Sequence, residues 1–348
     1  NAFVARGPKS FEVKGLLRVK ETVKELSFAV EYAGTIADAW GGTRAGFSFQ
    51  IELDRMELGL NWNAALGAGM AVVGRKVKFS GEIELVKQTG GEDRKRDQED
   101  SLRAAVMTQS SHLPAIQDLK AAFADVFVIF EPKDQLGGDF YWFEKFDGTA
   151  TLVLADCVGH GMEGALKAML GVSLLNQTAE PALLRDLKRF SAAVHDAVVQ
   201  TVRKSHTPNP NLYAMEMGFC TLDLSKRRLQ FLGAGVGLFL LRSTGAIEYL
   251  AAYKEGVGSR TYDPQSPGAY EVELEPGDRC FMISDGFKDQ FGGPEGKKIG
   301  RRTVEQWFKE CLGRPFAECE TMLRRRFLDW RGNFEQMDDV TVVGFQPF

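Results

Sequence analysis

Four acidic stretches share one local pattern, an aspartate at the end of an apolar, strand-like run. They are Gly137-Gly138-Asp139-Phe140, Ala155-Asp156-Cys157-Val158-Gly159-His160-Gly161, Ser284-Asp285-Gly286 and Met337-Asp338-Asp339-Val340. A carboxylate drawn into a core without a partner costs several kcal/mol, so such groups are paired or bind metal. Few Lys or Arg accompany these four. A hard divalent cation is the natural partner, because Mg²⁺ and Mn²⁺ favour carboxylate, carbonyl and water oxygens. Glycines in the first three stretches let backbone approach such an ion. A single Asp-Gly reads as a turn. Four such stretches in one part of the chain read as a site.

Other chemistry-bearing residues carry less. The five cysteines, Cys157, Cys220, Cys280, Cys311 and Cys319, form no CxxC pair and are odd in number, which argues against a disulfide scaffold and fits a reducing compartment. Four histidines are too few for a His-rich zinc site. His195 interrupts a helical pattern beside Val194 and reads as a boundary residue. Arg324-Arg325-Arg326 suggests a phosphate clamp, but three consecutive residues on a helix point in different directions, which favours a solvated face.

The elements that must position these residues follow from periodicity. Of 348 residues, 43 are Lys or Arg and 47 Asp or Glu, a net charge of −4, with 44% hydrophobic. That is an ordinary globular composition, long enough for about two domains. It carries no basic footprint for nucleic acid or anionic membrane. The longest nearly apolar run, Leu229–Leu241, is too short for a membrane helix. The first residue is Asn, as a processed or cut start would leave it.

Residues 1–88 alternate apolar and polar over Phe11–Lys20, Leu26–Tyr32, Gly46–Leu53 and Val77–Val86, the period of half-buried antiparallel strands. Residues 89–113 read as a charged linker or the exposed start of a short helix, with eight charges in the nine residues Glu92–Asp100. Residues 114–348 mix nine short strand runs with helical periodicity at Gly161–Thr178, at Leu183, Leu187, Phe190, Val194 and Val198, and at Phe316, Cys319, Leu323, Phe327 and Trp330. Strands joined by short turns favour an α+β fold with antiparallel sheets.

With Pro132–Phe143, Ala155–Ala165, Ser284–Pro294 and Asp338–Thr341 in place, residues 114–348 resemble the metal-dependent PPM-type protein serine/threonine phosphatases of the SpoIIE-like bacterial branch. The resemblance implies an α-β-β-α sandwich of two antiparallel sheets flanked by helices, with two Mn²⁺ or Mg²⁺ ions at one edge. It implies that Asp139 and Asp156 bind the pair, with Asp156 bridging, that the Cys157 carbonyl adds a ligand, and that Asp285 and Asp338 complete the ligand set of the second ion. Asp339 then supports rather than ligates. Asp289 matches a position that can touch a third ion, whose usual partner acid is missing from Phe231–Gly237. Two cations about 3.5–4 Å apart activate a shared water as hydroxide, which attacks phosphorus directly. Cys157 is not flanked by Lys or Arg and is read as a backbone ligand, not a nucleophile. His160 is either the proton donor to the leaving seryl oxygen or a loop residue fixing the glycine turn.

In the first part, Asp38–Phe47, Leu53–Asn63 and Val73–Glu84 resemble the YceI family, which implies a lipocalin-like barrel for isoprenoid or similar amphiphilic chains. Only the later half of such a domain is covered, so the expectation is a partial barrel; Phe28, Phe47, Phe49, Trp62 and Phe79 are read as core. The expected function is therefore a cytoplasmic, bacterial phosphoserine/phosphothreonine phosphatase acting on a signalling protein, such as a phosphorylated anti-sigma-factor antagonist. The alternative is a non-enzymatic amphiphile-binding or interaction protein. The relatives imply a homodimer through the helix after Gly161. The Ala165 and Met169 face of that helix is expected to pack loosely and to let the N-terminal module or a partner regulate metal occupancy.

Overall fold

The computed structural model describes residues 2–20, 22–37, 43–60, 65–66, 70–71, 74–87, 91–204, 213–265 and 269–348. The chain divides into two units, Asn1–Gln98 and Glu99–Phe348. Among the described residues no helix is long and apolar enough to cross a membrane.

The N-terminal unit is built from β1 (Ala2–Ala5), β2 (Ser10–Val19), β3 (Thr22–Ala37), β4 (Thr43–Asp54), a 3₁₀ turn (Arg55–Leu58), β5 (Ala65–Leu66), β6 (Met70–Ala71) and β7 (Lys76–Lys87). Five strands pair antiparallel in the order β1-β2-β3-β4-β7, and β5 pairs β6. Burial alternates along β3, as the period-2 pattern requires. No closed barrel forms among the described residues. Phe28 packs on Phe49 at 5.4 Å and Tyr32 on Phe47 at 5.4 Å. Phe79, expected in a core, is 46% exposed, because an open sheet has no second layer to cover it. Trp62, with residues 38–42, 61, 63 and 73 of the quoted motifs, lies outside the described residues.

The segment expected as a linker is helical: α1 (Gly91–His112). It is followed by α2 (Ile116–Lys120), β8 (Asp125–Glu131), β9 (Phe140–Phe146), β10 (Thr149–Cys157), α3 (Gly161–Thr178), α4 (Pro181–Leu184), α5 (Leu187–Lys204), β11 (Met215–Asp223), β12 (Arg228–Ala234), β13 (Leu238–Leu241), β14 (Ile247–Leu250), β15 (Tyr270–Glu273), β16 (Arg279–Ile283), α6 (Asp285–Asp289), β17 (Phe291–Gly292), β18 (Lys297–Lys298), α7 (Gly300–Lys309), α8 (Phe316–Arg331) and β19 (Val340–Gln346).

Two five-stranded antiparallel sheets result, β15-β12-β11-β10-β9 and β14-β13-β16-β19-β8. Three cores stack between four layers. Val153, Ala155 and Cys157 of β10 face Val172 and Leu175 of α3 and Phe190 and Val194 of α5. Leu152 and Leu154 point the other way, to Met282 and Val343 between the sheets. Phe281 and Val342 face Phe308 of α7 and Leu323 of α8. The helical periodicity read as one run from Leu183 is two helices, α4 and α5, with Pro181 at the start of α4.

Candidate metal centre

The same alternation that builds the inter-sheet core carries the acids to its edge. On β10, Leu152 and Leu154 face the other sheet, so Asp156 does too. On β16 and β19, Met282 and Val343 are inter-sheet residues, which puts Ser284 and Thr341 on that side. Asp139 precedes β9, whose Phe140 is paired with Ala155. β10 and β16 end, and β9 and β19 begin, at this one edge. Four separate segments thus deliver their carboxylates together.

Asp139 is 1% exposed. Its Oδ2 accepts a 2.7 Å hydrogen bond from Thr341 Oγ1, while Oδ1 has no partner. Burial pushes its carboxyl up to about 7, aided by the charges of Asp339 and Asp338 and opposed by the Ser284 and Thr341 hydroxyls. Asp156 is raised well above the carboxylate range by burial, then by Asp139, Asp285 and Asp338. Asp285 is raised by burial too, with Asp338 and Asp289 adding to it and Lys288 opposing. These acids crowd one another without internal cations to match.

Asp339, 3% exposed, does a different job. Its Oδ1 accepts from the Lys133 amide at 2.7 Å and its Oδ2 from the Gly138 amide at 2.6 Å. It fixes the loop that carries Asp139. Gln109 of α1 grips the same loop from another side: its Nε2 donates to the Gly137 carbonyl at 2.6 Å, and its Oε1 faces the Gly137 amide at 3.4 Å. The loop after Asp156 is held by buried Lys167, whose Nζ donates to the Val158 carbonyl at 2.7 Å and to Glu163 at 2.7 Å.

Gly159 and Gly161 bracket His160 with φ of 95° and 64°, a left-handed backbone that side chains resist. That turn lifts His160 to the rim. Its Nδ1 lies 2.8 Å from Asp134 Oδ2, and its Nε2 lies 3.2 Å from Lys133 Nζ. The Cys157 thiol is pushed far up by burial and by Asp156 and Asp139, so it carries no thiolate. Asp289 is partnered by Lys298 at 3.1 Å and Lys288 at 3.9 Å. Arg324 pairs with Glu320 and Glu131, Arg325 with Asp329, and Arg326 with Glu310, so the arginine run is a solvated, paired face. His195 is half-buried, accepting from the Gly258 amide at 3.1 Å and stacking on Tyr262.

Sequence reasoning missed Gln109, Lys133, Asp134 and Glu216. Glu216 stands opposite Asp156 in the β10–β11 ladder. Partial burial, then Asp285, raises its carboxyl. One signal was available: Glu216 breaks the apolar run of β11, where its neighbours are buried. The other three depend on contacts between distant segments.

The donors fit a hard divalent cation. An orphaned buried carboxylate oxygen and a set of mutually repelling acids are what such an ion satisfies. As they stand, no three of the described side chains close on a common point as ligands of a bound ion do.

Residues 147–347 match the family profile for stage II sporulation protein E (SpoIIE). The chain belongs to the SpoIIE family. Its enzyme class is that of the protein serine/threonine phosphatases, in the metal-dependent PP2C-type group. The SpoIIE match begins after Asp139, which the structure places beside Asp156. Residues 2–85 match the YceI-like domain. No curated protein is similar enough in sequence to match.

Among solved structures, the SiaA-PP2C domain of Pseudomonas aeruginosa aligns at 26% identity and a TM-score of 0.65, covering 74% of this chain and 99% of that one. The PP2C phosphatase domain of the cell-fate determinant SpoIIE from Bacillus subtilis, with a fragment of its regulatory domain, aligns at 17% and 0.53, covering 64% and 63%. The RsbU and RsbW domains of a Mycobacterium tuberculosis protein align at 18% and 0.50, covering 64% and 59%. The sandwich expected from the sequence is the fold these structures share.

Proposed function

We propose that this chain hydrolyses phosphoserine and phosphothreonine on a signalling protein with the help of two Mn²⁺ or Mg²⁺ ions. Asp139 and Asp156 hold the pair, with Asp156 shared. The Cys157 carbonyl, Asp285 and Asp338 complete the set, and Asp289 serves a further ion. The observation that carries this reading is the unpartnered, buried Oδ1 of Asp139 among three other acids. Bound cations would supply Lewis acidity and lower the pKa of a water, so that phosphorus could be attacked without a phosphoenzyme.

The chain's own residues prepare that event. Asp339 and Gln109 immobilise the Gly137–Asp139 loop. His160, on its glycine turn, is the proton donor to the leaving seryl oxygen. The exposed Met162 and Leu166 of α3, with exposed Val158 in the loop before it, support a homodimer contact there. The SpoIIE kinship favours a regulatory phosphoprotein, such as an anti-sigma-factor antagonist, and hence a cytoplasmic setting. For the N-terminal unit, the exposed Leu16, Ile36, Ile83 and Leu85 favour a second reading, binding of an isoprenoid-like chain.

Hydrolysis of p-nitrophenyl phosphate and of a phosphoserine peptide by the full chain, with Mn²⁺ and with EDTA, tests the main reading. Turnover that requires Mn²⁺ supports it; folded protein with no turnover in Mn²⁺ rejects it.

A further inference from the structure

Lys133 sits where β8 leaves its sheet, in Glu131-Pro132-Lys133-Asp134. Its main chain is pinned by the buried Asp339 carboxylate, while its side chain is exposed at the rim. The ammonium ends 3.2 Å from His160 Nε2, and His160 Nδ1 lies 2.8 Å from Asp134 Oδ2. A carboxylate only accepts and an ammonium only donates, so this network assigns the imidazole proton to Nδ1 and leaves Nε2 as acceptor. Asp134 orients His160, and His160 aims Lys133.

An ammonium has three donors, and the imidazole takes one. The other cations of this region have carboxylate partners: Lys167 with Glu163, Lys288 and Lys298 with Asp289, and Arg324 with Glu320 and Glu131. Lys133 has no carboxylate partner among the described residues. A phosphoserine group carries nearly two negative charges and three acceptor oxygens. Phosphoryl transfer gains most from fixed positive charge that is in place before the substrate arrives.

We propose that Lys133 is the side chain that grips the substrate's phosphoryl oxygens, held ready by His160 and Asp134. The proposal deepens the phosphatase reading and rests on it. The ammonium leaves a neutral acceptor, not a carboxylate, when it turns to phosphate, so little attraction is lost in the exchange. The same move leaves His160 Nε2 free to take a proton from solvent, which it needs before it can serve as donor to the leaving oxygen.

The test compares full-length wild type, Lys133→Met and Lys133→Arg, each saturated with Mn²⁺. The readouts are KM for a phosphoserine peptide, the inhibition constant of inorganic phosphate, calorimetric phosphate binding, and Mn²⁺ affinity. Lys133→Met is expected to weaken phosphate binding and raise KM about tenfold, with Mn²⁺ affinity and Tm unchanged. Lys133→Arg is expected to restore most of the loss. Phosphate binding that is the same in Lys133→Met as in wild type overturns the proposal. So does a matching loss of Mn²⁺ affinity, which would make Lys133 a support of the metal loop. Failure of the phosphatase reading looks different: wild type itself would not turn over, whatever the calorimetry of phosphate reports.

Discussion

Asp339 accepts the amide hydrogen of Gly138 at 2.6 Å across 201 positions of sequence, and with its other oxygen it accepts the amide of Lys133. The second aspartate of the Asp338-Asp339 pair is therefore the brace of the loop that presents Asp139. Asp339→Ala leaves two amides without acceptors, each costing about 1–3 kcal/mol, partly offset by relief of repulsion from Asp338 and Asp139. A net loss of about 1–3 kcal/mol is expected in denaturant melts, together with weaker Mn²⁺ binding by calorimetry. Unchanged Mn²⁺ affinity in a folded variant would show that the brace is not needed.

Gln109 is 5% exposed and clamps Gly137 from α1. Gln109→Leu in the full chain is expected to raise the Mn²⁺ concentration for half-maximal activity severalfold, while Gln109→Glu, which keeps one acceptor but loses the donor, falls between. A chain cut near Ser111 would lose this clamp. Its altered activity would then report on the metal loop, not on the N-terminal unit.

In the proposed site Cys157 offers its carbonyl, not its thiol. Cys157→Ala is expected to keep kcat within about threefold of wild type, and iodoacetamide is expected to leave activity intact. Mass spectrometry of the treated protein checks that the thiol stays unmodified. Rapid inactivation that tracks alkylation at Cys157 would reopen the nucleophile reading.

Burial lowers the pKa of His195, with Asp196 opposing. The folded protein prefers the neutral ring, whose Nδ1 accepts from the Gly258 amide. The stability this contributes is complete above the ordinary histidine pKa of about 6.5 and is lost as pH falls through the lowered folded-state value. Tm measured between pH 7.5 and 5 is expected to fall less steeply for His195→Gln than for wild type. Parallel curves would remove His195 from the acid response.

The strands were legible because alternation survives where one face is buried. Leu152, Leu154 and Asp156 show in sequence what they do in space. The aspartates proposed as metal ligands were legible because each lies where such a run ends or begins. The charged stretch after Gly91 did not reveal how long its helix runs, since its polar residues carry no apolar stripe and the core contact comes late, at Gln109. The split between α4 and α5 was hidden because Leu183 and Leu187 keep helical spacing across the break. Lys133, Asp134 and His160 meet only because β8 and β10 end at the same edge of the sandwich, which no local spacing records.

The central claim is that Asp139, Asp156, Asp285 and Asp338 form one metal centre. The most direct measurement is a paired titration of wild type and Asp156→Asn with Mn²⁺, reading phosphoserine-peptide hydrolysis and Tm together. Wild type is expected to gain activity and Tm with Mn²⁺. Asp156→Asn is expected to lose activity on the order of 10³-fold, to melt in EDTA at or above wild type because a repelling charge is gone, and to gain no Tm from Mn²⁺. An Asp156→Asn protein that keeps about half of wild-type activity at saturating Mn²⁺, or is stabilised by Mn²⁺ as wild type is, would contradict the account.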